Sequence, residues 1–152
     1  MLPMITTAQT EKFNLYHVDA DAKAEVNAAV KKAAQEHKHV LLMIGGNWCR
    51  WCKMFDNFQH ANASVDSALK TNYIFQHVNY SKENKNNALM TELEFPQRFG
   101  FPVFVVLNEK GERIHTQNSS YLEKGEGYDA EKVVEFLDQW SVKPLNPDSY
   151  KN

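Results

Sequence analysis

Hydrophobic positions along the chain switch between two rhythms. From Asp21 to His37 the apolar residues Val26, Ala29, Val30, Ala33 and Ala34 recur at helical spacing, with Asp21 placed to cap the first free N–H groups, so this stretch predicts an amphipathic helix. The run "HVLLMIGG" that follows is β-branched and aliphatic without alternation. That pattern predicts a central strand buried on both faces and ended by Gly45-Gly46. Helical spacing returns with Cys52, Phe55 and Phe58 in the stretch from Cys49 to His60, and "ASVDSAL" reads as a further short helix or a bent continuation. Tyr73 to Tyr80, "YIFQHVNY", has strand propensity. Glu83 to Glu94 is polar and helix-favouring with Leu89, Met90 and Leu93 on one side, until Pro96 and Gly100 break it.

The second half reads as a hairpin and a cover. "FPVFVVL" predicts a strand, "NEKGE" a turn with Gly111 where positive φ is tolerated, and Glu112 to Thr116 the returning strand. "DAEKVVEFLDQW" sets Val133, Phe136, Leu137 and Trp140 on one face of a closing helix. Phe13 to Val18 is expected as a short edge strand ahead of the first helix. The resulting order is β-α-β-α-β-α-β-β-α, a crossover half with parallel strands and then a hairpin half, which layer logic makes α/β or α+β. Residues 1–12 have no periodicity and are expected as a flexible lead-in, residues 13–141 as one domain and residues 142–152 as a tail.

Composition narrows the class. A chain of 152 residues suits a single core, and 43% hydrophobic with 24% charged residues excludes both disorder and a disulfide-dense mini-protein. A formal net charge of -2 with both signs interspersed offers no basic stripe for nucleic acid and no polybasic face for a membrane. The longest apolar runs, Val40 to Ile44 and Phe101 to Leu107, fall far short of the ~20 residues that span a bilayer, so no membrane insertion is expected. The first residues lack a basic region followed by a continuous apolar one, so no signal peptide is visible; Met1 is either a native start or a start placed on an already processed protein.

Both cysteines lie in "GGNWCRWCKMF", at positions 49 and 52. A disulfide across so short a loop removes little chain entropy and makes a poor structural staple. Zinc needs about four ligands, and the chain has no second C-x-x-C and no H-x₃₋₅-H; His60 lies too far along a helix from Cys52 to close a site, so no metal is expected. Redox chemistry remains. Cys49 falls where a buried strand turns into a helix, where unpaired N–H groups and the positive end of the dipole stabilise a thiolate, and Arg50 and Lys53 add positive charge. Cys49 is therefore the candidate nucleophile. Cys52, one turn into the helix, is placed to resolve the mixed disulfide.

A C-x-x-C between a strand and a helix is a thioredoxin-like signal, and longer motifs agree. "NWCRWCKMF" resembles the thioredoxin W-C-x-x-C motif followed by Lys and an apolar pair, and "GFP" resembles the family's glycine, apolar residue and cis-proline. "VVLNEKGE" resembles its β-hairpin and "KVVEFLDQW" its last helix, so the likeness runs in order from about residue 21 to residue 140. The chain thus resembles the thioredoxin superfamily, and within it secreted bacterial thioredoxin-like proteins with an extra N-terminal strand and helix. The resemblance implies an α/β thioredoxin-like fold, a central mixed β-sheet flanked by helices with that N-terminal extension. It implies Pro102 as a cis-proline opposite the cysteines, Phe101 as the backbone that pairs with substrate, and Trp48 as a shield beside the nucleophile. It also implies a thiol-disulfide oxidoreductase without a bound cofactor, acting as a monomer on protein or peptide disulfides with an upstream electron donor or acceptor. The implied compartment is the periplasm, with the cytoplasm as alternative. The competing function is a thioredoxin-fold binding module or chaperone-like adaptor whose cysteine pair is non-catalytic or senses oxidation.

Three departures from the family stand out. The buried aspartate that thioredoxins carry six residues before the first cysteine is Met43 here. His77, near the position of the family's strand lysine, is the candidate for proton transfer in its place, against a plain structural reading. His17, His37, His39, His60 and His115 are scattered and are expected to be solvated or structural. Arg50-Trp51 replaces the Gly-Pro of housekeeping thioredoxins, which should change thiolate stability and redox poise. The polar stretch from Gln117 to Tyr128 is long enough to be functional or disordered, with Tyr121 and Tyr128 as candidates to frame a partner surface.

Overall fold

Strand β1, His39–Gly45, is buried at every position, and its neighbours explain why. The structure, a computed structural model that describes residues 13–152, places β1 inside a four-stranded sheet of order β2-β1-β3-β4. Strand β2, Tyr73–Asn79, runs parallel to it from His39↔Tyr73 to Gly45↔Asn79, and β3, Val103–Leu107, runs antiparallel on its other side. Strand β4, Arg113–Asn118, completes the hairpin with β3. In its turn the Asn108 side chain accepts from the N–H groups of Lys110 and Glu112, both at 3.0 Å, while Gly111 takes φ 82°. That conformation is cheap for glycine, as the sequence pattern anticipates.

The two faces of the sheet build two cores. Leu41, Met43, Phe104 and Val106 point to one side, where they meet helices α2 (Arg50–Ala61), α3 (Ala63–Asn72) and a later helix, Ala130–Gln139, through Cys52, Phe55, Val65, Leu69, Val133, Phe136 and Leu137. Val40, Leu42, Ile44, Val103, Val105 and Leu107 point to the other, against Val26, Ala29 and Ala33 of α1 (Ala22–Glu36) and Leu89 and Met90 of α4 (Asn87–Glu92). A central strand apolar on both sides therefore serves two layers, each buried aliphatic side chain contributing about 1.5–3 kcal/mol. Asp21 caps α1 as expected, accepting from the Ala24 N–H at 3.0 Å.

Three expectations are corrected. The described part of the lead segment, from Phe13 on, contains no strand between Phe13 and Val18. Tyr16 pairs its N–H and C=O with the side chain of Asn47, at 2.9 and 2.8 Å, so a single amide takes the role a neighbouring strand would have had. The expected helix Glu83–Glu94 is only Asn87–Glu92, because Asn79, Ser81, Asn84 and Asn86 bond to one another and to nearby backbone in a loop. Such short polar side chains compete with helical hydrogen bonding. The stretch from Gln117 to Tyr128, expected as a long loop, carries regular structure: it finishes β4, makes a 3₁₀ turn at Ser119–Leu122, and forms a two-stranded hairpin of β5 (Glu123–Lys124) and β6 (Gly127–Tyr128) before α5, Ala130–Gln139. The tail carries two 3₁₀ turns, Lys143–Leu145 and Pro147–Tyr150. The expected lead-in, residues 1–12, lies outside the described residues.

Candidate active site

The chain leaves β1 at Gly45 and enters α2 at Arg50, and the cysteines sit at that corner. Cys49 is the N-cap of α2, with extended backbone (φ -90°, ψ 110°), and its sulfur accepts from the Cys52 N–H at 3.2 Å. A cap position supplies one of the N–H groups that a helix leaves unsatisfied, which is the local field a thiolate needs. The two cysteines are joined as a disulfide with Cα atoms 5.2 Å apart. Cys49 keeps 5% of its surface exposed and Cys52 none, so an incoming thiolate can reach only Cys49. Arg50 and Lys53 are exposed on the first turn of α2 and place their charges at its positive end.

Aromatic residues enclose one side of the pair. The Trp48 indole, 57% exposed, donates to the Tyr80 carbonyl at 2.8 Å and stands edge-on to Phe101 at 5.4 Å. Tyr80 stacks on Phe101 at 4.9 Å. A side chain on Gly46 would collide with the Trp48 ring, so the glycine lets the indole lie against the backbone. Together Trp48, Tyr80 and Phe101 border a groove of about 430 Å³ that Ser81, Lys82, Glu83 and Lys85 also line. The Phe101–Pro102 peptide bond is cis, and Pro102 is buried directly ahead of β3.

On the other side Trp51 is half-buried and meets Tyr128 edge-on at 5.5 Å, while the Tyr128 hydroxyl donates to the Trp51 carbonyl at 3.1 Å. Tyr128 also packs on Phe55 and Phe58. The small hairpin thus braces the first turn of α2 through Tyr128, whereas Tyr121 stands 72% exposed. The two tyrosines paired by the sequence reading have separate surroundings.

His77 stands opposite Met43 in the β1–β2 register, packed against Phe75 at 4.6 Å and edge-on to Tyr16 at 5.4 Å. Its Nε2 is buried without a hydrogen-bond partner among the described residues. Burial, reinforced by His17 and His60, pushes the imidazole down to about 4, so His77 is neutral at pH 7 and a weak proton acceptor. The residue that sequence reasoning missed is Tyr16. A Cβ on Gly45 would overlap Cys52 Sγ and lie 2.9 Å from the Tyr16 hydroxyl, so sulfur and hydroxyl flank one gap too small for a methyl group. No spacing rule connects Tyr16 with the cysteines; the link runs through Asn47, 31 positions away. Among the described residues no three His, Cys, Asp or Glu side chains come together to hold a metal ion, and no helix is long and apolar enough to cross a membrane.

The strand-to-helix corner with its capped cysteine pair lies within the stretch that resembles known proteins. The family model described as thioredoxin-like matches residues 21–109. The chain belongs to the thioredoxin-like family. Among curated proteins, this thioredoxin-like chain is 27% identical over 114 residues to the thiol:disulfide interchange protein DsbD of Pectobacterium atrosepticum, covering 75% of the chain but 19% of that protein. It therefore spans about a fifth of the length of that relative. Among solved structures, a disulphide isomerase from Xylella fastidiosa Temecula1 superposes with a TM-score of 0.72 at 23% identity, over 82% of this chain and 95% of that one. The oxidised C-terminal domain of Neisseria meningitidis DsbD superposes with a TM-score of 0.54 at 22% identity, over 78% and 95%. These superpositions establish the thioredoxin-like fold, a mixed sheet flanked by helices.

Proposed function

We propose that the protein is a thiol-disulfide oxidoreductase acting on disulfides of proteins or peptides. The carrying observation is the asymmetry of the pair: Cys49 caps α2 and touches solvent, while Cys52 is sealed behind it. In the reducing direction the Cys49 thiolate attacks a substrate disulfide, releasing one substrate thiolate and forming a mixed disulfide. Cys52, as thiolate, then attacks Cys49 Sγ, expels the second substrate thiolate and leaves the Cys49–Cys52 disulfide, which an external dithiol reduces again. The groove between Trp48 and Tyr80 gives the substrate an apolar surface beside the nucleophile, and Phe101 offers backbone there. The names of the similar proteins, a thiol:disulfide interchange protein and a disulphide isomerase, support this reading.

Insulin reduction by dithiothreitol tests it. Wild-type protein should accelerate precipitation of the insulin B chain and Cys49→Ser should abolish the acceleration; a wild type without turnover would leave the binding-module reading. We further propose a monomer exported to the periplasm, a location supported by the resemblance to secreted thioredoxin-like proteins. Fractionation of cells expressing the complete gene, and sedimentation of the purified protein, test these two points.

A further inference from the structure

Tyr16 is a tyrosine with 1% of its surface exposed whose hydroxyl has no hydrogen-bond partner among the described residues. A buried polar group left unpaired costs about 1–3 kcal/mol, so such a hydroxyl calls for an explanation. Its position supplies one. The hydroxyl and Cys52 Sγ both lie within 3 Å of the position a Cβ on Gly45 would take, and both belong to the same buried cluster as Cys49 and Met43. The backbone of Tyr16 is held on both its N–H and its C=O by Asn47, two residues ahead of Cys49, so ring and cysteines are carried by one rigid corner.

We propose that the Tyr16 hydroxyl is the hydrogen-bond donor that stabilises the Cys52 sulfur whenever that sulfur is released from the disulfide. The proposal rests on the reading of Cys49–Cys52 as an exchanging pair. When the thiolate of an external dithiol attacks Cys49 Sγ, a new S–S bond forms there, the Cys49–Cys52 bond breaks, and Cys52 leaves with the electron pair. That thiolate is generated in a pocket sealed from water, where an uncompensated charge is expensive. The second thiol of the donor then expels Cys49 as thiolate and becomes the oxidised product, and Cys52 finally takes its proton from solvent. The phenol keeps its own proton throughout, because burial, with Tyr128 and Asp56 adding to it, pushes its ionisation far upward. In the disulfide state the hydroxyl is unpaired; once Cys52 is released the hydroxyl donates to its sulfur, most strongly while that sulfur is still a thiolate and more weakly after it has taken its proton. The difference favours the reduced pair.

The groups facing Tyr16 are Asp56 on α2, Tyr128 on β6 and His77 on β2, besides Cys52 itself. Met43, on the same face of β1 as Gly45, has no proton to give. Tyr16 thus brings an O–H to the gap at Gly45 that Cys52 Sγ also borders.

The test equilibrates wild type, Tyr16→Phe and His77→Leu with defined ratios of reduced to oxidised dithiothreitol, reading the thiol content by alkylation and mass. This readout needs no substrate turnover, so a failed insulin assay and a failed Tyr16 proposal are told apart. Tyr16→Phe should shift the equilibrium about tenfold toward the disulfide, a midpoint lower by about 30 mV for the two-electron couple. The Cys52 thiol titration, read by NMR of its Cβ in the reduced protein, should move upward by about one pH unit at the same time. Melting of both redox forms guards against a simple folding defect. The oxidised form of Tyr16→Phe should keep or gain stability while the reduced form loses it. An unchanged midpoint, equal destabilisation of both forms, or a midpoint that moves in His77→Leu and not in Tyr16→Phe overturns the proposal.

Discussion

Gly45→Ala is a one-atom perturbation at the crowded point of the molecule. Its Cβ would overlap Cys52 Sγ and stand 2.9 Å from the Tyr16 hydroxyl and 3.3 Å from the ring carbon that bears it. Neither neighbour can swing away as the loose end of a flexible chain would. Cys52 is fixed by α2 and by its bond to Cys49, and Tyr16 is buried and tied by its backbone to Asn47. The glycine itself is pinned, since its carbonyl accepts from the Tyr80 N–H at 2.7 Å and its strand pairs with Asn79. The strain must therefore be taken by moving β1 away from α2, and overpacking of this kind costs about 1–3 kcal/mol. With two rigid neighbours the upper end applies, which lowers the melting temperature of a chain this size by roughly 6–12 °C. The loss should be larger in the oxidised protein than in the reduced one, where Cys52 is free of Cys49. Thermal unfolding followed by circular dichroism, in both redox states, reads the effect. Gly127→Ala is the control: nothing lies within 4 Å of its Cβ position, so its stability should stay within about 0.5 kcal/mol of wild type. A Gly45→Ala melting point as close to wild type as that of the control would refute the reasoning.

Other outcomes follow from the same geometry. In Cys52→Ala the solvent-touching Cys49 keeps its attack but loses its internal rescuer, so mixed disulfides with substrate should accumulate and be seen as mass adducts released only by added thiol. Tyr128→Phe removes the hydrogen bond to the Trp51 carbonyl and should cost about 0.5–1.5 kcal/mol in urea unfolding, with a change in Trp51 fluorescence. His77 is held at about 4 when folded, against about 6.5 unfolded, so between those values the unfolded chain binds the extra proton. Its contribution to stability is present above about pH 6.5 and is lost as pH falls toward 4, to the extent of roughly 2–3 kcal/mol. His77→Leu should therefore lose less stability than wild type between pH 7 and pH 4.5, and identical pH dependence in the two proteins would count against the neutral, desolvated imidazole.

Periodicity and residue type determined much of this molecule. The six consecutive apolar or small positions Val40 to Gly45 suit a strand covered on both faces, Asp21 and the four-residue rhythm behind it suit the start of a helix, and Asn108 to Gly111 suit a turn. The cysteine pair was legible for the same reason: the C-x-x-C spacing and the strand-to-helix change are features of contiguous residues. What periodicity does not carry is who meets whom across the fold. Phe13 to Val18 has the composition of a strand, yet its hydrogen bonds go to one asparagine side chain rather than to a sheet edge. The run from Glu83 to Asn86 has helix formers, but asparagine and serine side chains around it claim the local backbone first. The loop ending at Tyr128 reads as polar and long, and its tyrosine proves to be a brace under Trp51. Above all, the sequence named the two sulfurs and the missing acid at Met43, while only the packed chain set a buried phenol beside the second sulfur. Local pattern reports which face of an element is apolar; the partner of a buried polar atom is chosen by the packing of distant elements, and burial then decides its charge.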